Sequence, residues 1–199
     1  MTRTLRFATP ADAPGIAAIY APIVRESAIS FEVDPPTVEE IGKRVESTLR
    51  FYPWLICAAG GSVEGYAYAS QHRSRAAYQW SADVSVYIHE SCRGRGIGRA
   101  LYAALLELLR MQGLFNAYAG ITLPNAASVG LHEAVGFVPL GVYRAVGFKL
   151  GRWHDVGWWE LPLLSRGDRL PAAPVAQSTL AAGGAIDGIL ASGERLLKE

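Results

Sequence analysis

The sequence predicts an α/β fold with a mixed central sheet and helices on both faces. Three observations predict it. Strand-like and helix-like runs follow one another as strand, two helices, three strands, helix, strand, helix, two strands, which is not the regular alternation of a doubly wound parallel sheet. Helix starts are marked by capping residues, at Thr9-Pro10-Ala11-Asp12 and at Thr37-Val38-Glu39-Glu40. A glycine- and arginine-rich loop, Arg93-Gly94-Arg95-Gly96-Ile97-Gly98-Arg99, joins a strand-like run to the most strongly periodic helix.

Taken in order, Thr4 to Ala8 reads as a short strand. The helix that follows carries Ile16, Ile19, Tyr20, Ile23 and Val24 at helical spacing, so one face packs on a core. The second helix runs from Thr37 to about Thr48. Trp54 to Ala59 and Val63 to Ser70 form a hairpin turned by Gly60-Gly61. A polar connection, Gln71 to Arg75, leads to the strand Ala82 to Ile88. After the glycine loop comes a helix with Leu101, Leu105, Leu108 and Leu109 inward, ending near Gly113. Ala117 to Thr122 is a strand, Asn125 to Ala134 a short helix stopped by Gly136, and Phe137 to Val142 and Val156 to Leu161 complete the sheet. The predicted domain is 1–164. From 165 to 199 the composition turns to Ala, Gly, Pro and Ser, with a weakly amphipathic end (Ile186, Ile189, Leu190, Leu196, Leu197), which reads as a mobile or loosely docked tail.

Composition narrows the function. The 199 residues carry a formal net charge of +1 and half are hydrophobic, which suits one domain with a real core and gives no basic surface for nucleic acid and no polybasic membrane anchor. The two cysteines, Cys57 and Cys92, lie far apart with no metal-ligand spacing and no disulfide framework, so no metal is expected and a reducing compartment is. Cys57 reads as a small buried hydrophobe, whereas Cys92, just before the loop, reads as a thiol that could be exposed. With no signal-like run and no stretch of transmembrane length, a cytoplasmic protein is the expectation.

The glycine loop is an anion site in principle. Its glycines allow a sharp turn and close approach of backbone to a ligand, and the first helix amides point outward with the positive end of the helix dipole behind them. The other reading is a tight turn with solvated arginines. A second cluster, Asn125-Ala126-Ala127-Ser128-Val129-Gly130-Leu131-His132-Glu133-Ala134-Val135-Gly136-Phe137, follows one strand later. Together the two resemble the GNAT acyltransferase superfamily, with Arg93, Gly96 and Gly98 matching its pyrophosphate loop and Asn125, Ser128, Leu131, His132, Gly136 and Phe137 its later signature. Over roughly residues 3 to 163 the chain is similar to the phosphinothricin and methionine-sulfoximine N-acetyltransferases, at Tyr52-Pro53-Trp54-Leu55, Ala77-Tyr78-Gln79-Trp80, Leu123-Pro124-Asn125 and Gly151-Arg152-Trp153-His154-Asp155-Val156 among others.

The resemblance implies the GNAT fold with a mostly antiparallel sheet. It also implies acetyl transfer from acetyl-CoA to the amine of a small amino-acid-like acceptor by direct attack in a ternary complex, commonly in a homodimer. Such a reaction must deprotonate an ammonium, hold a carbonyl oxygen as charge develops and release a thiolate. Asp83 stands where the family carries a glutamate and is the candidate base, directly or through water; one methylene shorter, it could instead orient substrate. His132 stands where many members place a tyrosine acid near the CoA sulfur, and could protonate the thiolate, help deprotonate the amine, or be satisfied by helix packing. Asn125 is expected among the catalytic residues, its amide on the pantetheine or on an ordered water, with Ser128 close by on the cofactor. The amides of Val86, Tyr87 and Ile88 are expected on the carbonyl, and the segment Arg93 to Arg99 (Gly94, Arg95, Gly96, Ile97 and Gly98 between them) on the pyrophosphate.

For the acceptor, Arg73, Arg75 and Tyr78 form the natural set with Asp83, since a guanidinium matches a carboxylate or phosphinate bidentately, and Phe31 is expected to line the same pocket. Trp80, Trp153, Trp158 and Trp159 read as core or dimer packing. Other acceptors (a polyamine, an aminoglycoside, a protein N-terminus) and a non-catalytic acyl-CoA-binding module are the alternatives, and Cys92 is the one thiol to check as an acyl acceptor.

Overall fold

The computed structural model describes residues 2–167, 171–180 and 184–198. Its sheet has seven strands in the order β1-β2-β3-β4-β5-β7-β6. These are β1 (Arg3–Phe7), β2 (Trp54–Ala59), β3 (Ser62–Gln71), β4 (Ser81–Ile88), β5 (Asn116–Leu123), β6 (Val138–Lys149) and β7 (Arg152–Pro162). Every neighbouring pair is antiparallel except β4 with β5. Side chains alternate across the strands. On one face Trp54, Ile56 and Tyr66 pack with Ile16 and Val24 of α1 (Ala13–Glu26) and Ile41 and Val45 of α2 (Val38–Leu49). On the other, Leu55, Cys57, Ala82 and Val84 pack with Leu101, Leu105 and Leu109 of α3 (Ile97–Met111). The leucines expected inward on α3 are all fully buried.

Local chemistry sets the helix starts. Thr37 Oγ1 accepts the Glu40 amide at 3.2 Å while the Glu40 carboxylate accepts the Thr37 amide at 2.7 Å, the reciprocal cap read from the sequence. At Thr9 the first turn is a 3₁₀ turn over Pro10–Asp12. There the Asp12 carboxylate accepts both the Thr9 amide and the Arg6 guanidinium, which holds its carboxyl below the usual range.

The feature that matters for function is where β4 and β5 stop pairing. Ser81, Ala82 and Asp83 pair in parallel with Asn116, Ala117 and Tyr118, and there the ladder ends. β4 runs on to Ile88 and β5 to Leu123, so the strands part and open a slot through the sheet.

Two expectations are corrected. The last two strands are far longer than 137–142 and 156–161 because their sequence hides the strand period. The register slips between Pro139 and Gly141 and again between Tyr143 and Gly147. At the second slip Ala145 has φ 46° and donates its amide to Asp155 at 2.7 Å. The tail is also docked, not loose. α5 (Gly184–Glu194) lies on α3 and β1 with Ile186 buried. The Glu194 carboxylate accepts the Leu5 amide at 2.7 Å, and Gln112 Nε2 donates to the carbonyl of Val175 at 2.8 Å. Of the tail, 168–170, 181–183 and 199 lie outside the described residues. Cys57 is buried as expected, which pushes its thiol up to about 12.

Gly193 is the closest point of the α5 packing, since a Cβ there would lie 2.8 Å from the Ala100 carbonyl oxygen and 2.7 Å from Leu5. Gly193→Val should therefore cost about 1–3 kcal/mol by overpacking and expose the segment beyond residue 184 to protease. Urea unfolding with limited proteolysis measures both; an unchanged midpoint and cleavage pattern would mean that α5 is not held there.

Candidate active site

The loop after β4 is built as an anion cradle. Gly94 and Gly96 both have φ 79°, a conformation glycine adopts without strain, and Gly96 is the N-cap of α3. The first-turn amides of Ile97, Gly98 and Arg99 precede any intrahelical partner and stand at the positive end of the helix. A cleft of about 460 Å³ runs along them between β4 and the start of α4 (Ala126–Ala134), and Val86, Ile88, Arg93, Asn125 and Ser128 are among the residues lining it.

Three members of the loop act differently from one another. Gly98 makes room for α4, since a Cβ there would lie 2.7 Å from Leu131. Arg95 does not line the cleft; its carbonyl accepts the Lys198 amide at 2.9 Å. Gly96 lies against the Leu196 carbonyl oxygen, which a Cβ would strike. The tail thus forms one wall of the cleft through Leu196 and Lys198.

Asn125 caps α4, its Oδ1 accepting the Ser128 amide at 3.1 Å, so its NH₂ is the group free to meet a ligand in the cleft. Cys92, which the sequence left open to exposure, is buried on the α3 side and lines the cleft. His132 is also buried, and both ring nitrogens are engaged. Nδ1–H donates to the Ser128 carbonyl at 2.7 Å, which leaves Nε2 to accept the Tyr102 hydroxyl at 2.8 Å. Burial lowers its pKa and favours the neutral ring. Both bonds are those of the packing alternative, and the ring also lines the slot between β4 and β5.

The slot between β4 and β5 opens from this cleft and is lined by Val84, Ser85, Gly120 and Thr122; a second cluster stands at its apex. There Asp83 and Tyr118 are the last paired residues. The Asp83 carboxylate accepts Nδ1–H of His72 at 2.6 Å; burial raises its pKa and the His72 bond opposes that rise. The His72 ring stacks on Tyr118 at 4.5 Å between centroids, with Tyr78 and Trp158 edge-on at 5.9 and 6.3 Å. Arg73 lies 5.8 Å above the Trp158 ring.

Of the predicted acceptor residues, the apex brings together Asp83, Arg73 and Tyr78. Arg75 is exposed at the start of the Ala76–Tyr78 turn. Phe31 packs on the β6–β7 hairpin, against Gly147 and His154. There Lys149 Nζ holds the carbonyls of Val24 and Ser30 at 2.6 and 2.7 Å. Sequence reasoning missed His72, Tyr118 and Trp158, the last taken for packing. A signal existed for His72: once Ser70 is set opposite Asp83, His72 falls two residues on, at the diagonal position on the same face.

A helix-capped anion cleft beside a parted sheet with a half-buried acid–imidazole pair at its apex is the architecture of an acyl-group transferase with two substrate sites. The family model of the acetyltransferase (GNAT) domain matches residues 5–158, and the chain belongs to that family as a GNAT N-acetyltransferase. It is 38% identical to the phosphinothricin N-acetyltransferase of Streptomyces viridochromogenes, over 87% of this chain and 94% of that protein. It is 36% identical to the L-methionine sulfoximine/L-methionine sulfone acetyltransferase of Pseudomonas paraeruginosa, over 82% and 96%. Among solved structures, a phosphinothricin acetyltransferase from Sinorhizobium meliloti in complex with acetyl-CoA is 36% identical and superposes with a TM-score of 0.81, over 86% of this chain and 94% of that one.

His132→Phe would leave the buried Tyr102 hydroxyl without its partner and remove the side-chain donor to the Ser128 carbonyl, which keeps its helical bond. It should destabilise the fold by about 1–3 kcal/mol, read by urea unfolding. A stability loss near zero would show that His132 does not hold α4 to α3.

Proposed function

We propose that the chain acetylates the amine of a small, anionic amino acid or analogue with acetyl-CoA, by direct attack while both substrates are bound. One observation carries this reading: the ladder between β4 and β5 ends at Asp83 and Tyr118, joining the cradle on one side to the apex cluster on the other. The relatives named for phosphinothricin and methionine sulfoximine support the acceptor class.

Bound acetyl-CoA supplies an activated acetyl thioester, and the cleft fits it. The Ile97, Gly98 and Arg99 amides and the Arg93 and Arg99 guanidiniums would take the pyrophosphate. The Asn125 NH₂ would bond the pantetheine arm. The edge of β4 from Val84 to Ile88, unpaired by β5, offers backbone amides to the thioester carbonyl as charge develops on it. At the apex, Arg73 would hold the acceptor's acidic group and Asp83 would serve removal of the amine proton. Arg73 there selects against cationic acceptors such as polyamines.

The implied homodimer has a surface available to it. Val138, Leu140, Val142, Phe148 and Trp153 are exposed apolar residues on the last hairpin. They support pairing through that face, which sedimentation of the wild type beside Phe148→Glu tests.

A thiol-release assay with L-methionine sulfone, L-methionine sulfoximine, phosphinothricin, spermidine and an aminoglycoside tests the acceptor. Activity on the first three and none on the cations is expected; silence on all five despite acetyl-CoA binding would point to a non-catalytic module. Asp83→Ala should lower kcat by about 10²–10⁴-fold and leave acetyl-CoA affinity, measured by calorimetry, within a few-fold. Gly96→Val strains φ, blocks backbone approach and strikes the Leu196 carbonyl, so calorimetry should detect no acetyl-CoA binding; retained affinity would contradict the pyrophosphate assignment.

A further inference from the structure

We propose that His72 is the base that accepts the amine proton, with Asp83 as its positioning residue, so that the reaction runs on a histidine–aspartate dyad in place of a lone carboxylate. This rests on the N-acetyltransferase reading above.

Asp83 and His72 meet at 2.6 Å through one carboxylate oxygen and Nδ1. The contact is set by backbone register, because β3 and β4 pair Ser70 with Asp83 and Gln71 with Ala82. The carboxylate acceptor fixes the tautomer with hydrogen on Nδ1. Nε2 then carries the lone pair, and it has no partner among the described residues. The stack on Tyr118 fixes the ring plane, and Tyr78 and Trp158 close on its edges. The His72 side chain is 13% exposed, so the ring is largely shielded but still accessible. Asp83 uses one carboxylate oxygen to orient the ring, and the imidazole, carried just past the end of β3, presents Nε2 beyond that carboxylate.

The neighbouring residue explains the substrate class. Arg73 donates to the carbonyl of His72 at 2.8 Å and lies over Trp158. An α-amino acid bears its carboxylate and its amine on one carbon. A guanidinium and an imidazole on consecutive residues suit that arrangement, the first binding the carboxylate and the second facing the amine. The charged and titratable groups around His72 are Asp83 on β4, Arg73 beside it, Tyr78 on the connection and Tyr118 on β5.

The proton balance is simple. The ammonium gives one proton to Nε2, leaving an imidazolium paired with the Asp83 carboxylate. The freed nitrogen lone pair forms the N–C bond to the acetyl carbon as the C–S bond breaks. Of the three ammonium protons, one stays on the amide nitrogen, one ends on the CoA thiol, and one passes through His72 to solvent.

The test compares wild type, His72→Phe, His72→Ala, Asp83→Asn and the double variant His72→Ala/Asp83→Asn. Phenylalanine keeps the stack on Tyr118 and guards against loss of fold, checked by circular dichroism. Both His72 variants should lose about 10²–10⁴-fold in kcat/KM for the amine with acetyl-CoA affinity unchanged. His72→Ala should regain activity with added imidazole, and its kcat/KM should lose the ionisation on the acidic limb. The double variant should be little worse than His72→Ala alone, as expected of residues acting as a unit. Full activity and an unaltered pH profile in His72→Phe would overturn the dyad while leaving the N-acetyltransferase reading intact. An inactive wild type would instead strike that reading. In either case ¹⁵N spectra of the free wild type should show His72 with hydrogen on Nδ1, a preference lost in Asp83→Asn, and hydrogen on Nε2 would overturn the dyad directly.

Discussion

The parting of β4 from β5 is the constraint on which the rest of the molecule depends. A parallel ladder that ended one residue earlier or later would move Asp83 out of the apex or close the slot. Each strand has its own anchor, so the sheet survives the gap. β4 is paired with β3 from Ala82 to Ile88, and β5 along its whole length with β7. The backbone groups released by the split are costly to bury without partners. That cost is met if a substrate supplies the missing hydrogen bonds, which makes the slot a binding element by construction.

The two faces of the sheet divide the labour. Even positions of β4 (Ala82, Val84, Val86, Ile88) face α3, and odd positions (Asp83, Ser85, Tyr87) point to the other face, where Tyr87 packs with the α1 and α2 core. The donor cradle is therefore tied to the α3 core and the acid–imidazole pair to the opposite face. Chemistry at the apex can vary between relatives without disturbing the cradle, because the two share only the strand between them.

What was legible in the sequence follows from how local each signal is. The capping box at Thr37, the inward leucines of α3 and the glycine loop all rest on contacts within a few residues, and they stand in the structure where the pattern put them. The long final hairpin did not show itself, because two register slips break its alternation and a glycine-rich stretch from Tyr143 to Gly151 reads as a loop. His132 matched a motif position, but its role depended on Tyr102, which sits on a different helix. His72 carries no local signal, because its partner lies across the β3–β4 connection and only the strand register brings the two together. The docking of α5 was hidden by composition: alanine and glycine look disordered when read alone, and here their small size is what lets Gly193 approach α3.

That docking has a consequence for biosynthesis. The cradle forms at residues 93–99, yet its wall includes Leu196 and Lys198, and the Arg3 side chain donates to the Lys198 carbonyl at 2.8 Å. Chains fold as they emerge, N-terminal parts first. The sheet and α3 can assemble while the tail is still in the ribosomal tunnel, but the cleft gains its last wall only after residue 198 has left it. Until then the nascent chain would hold a half-open donor site.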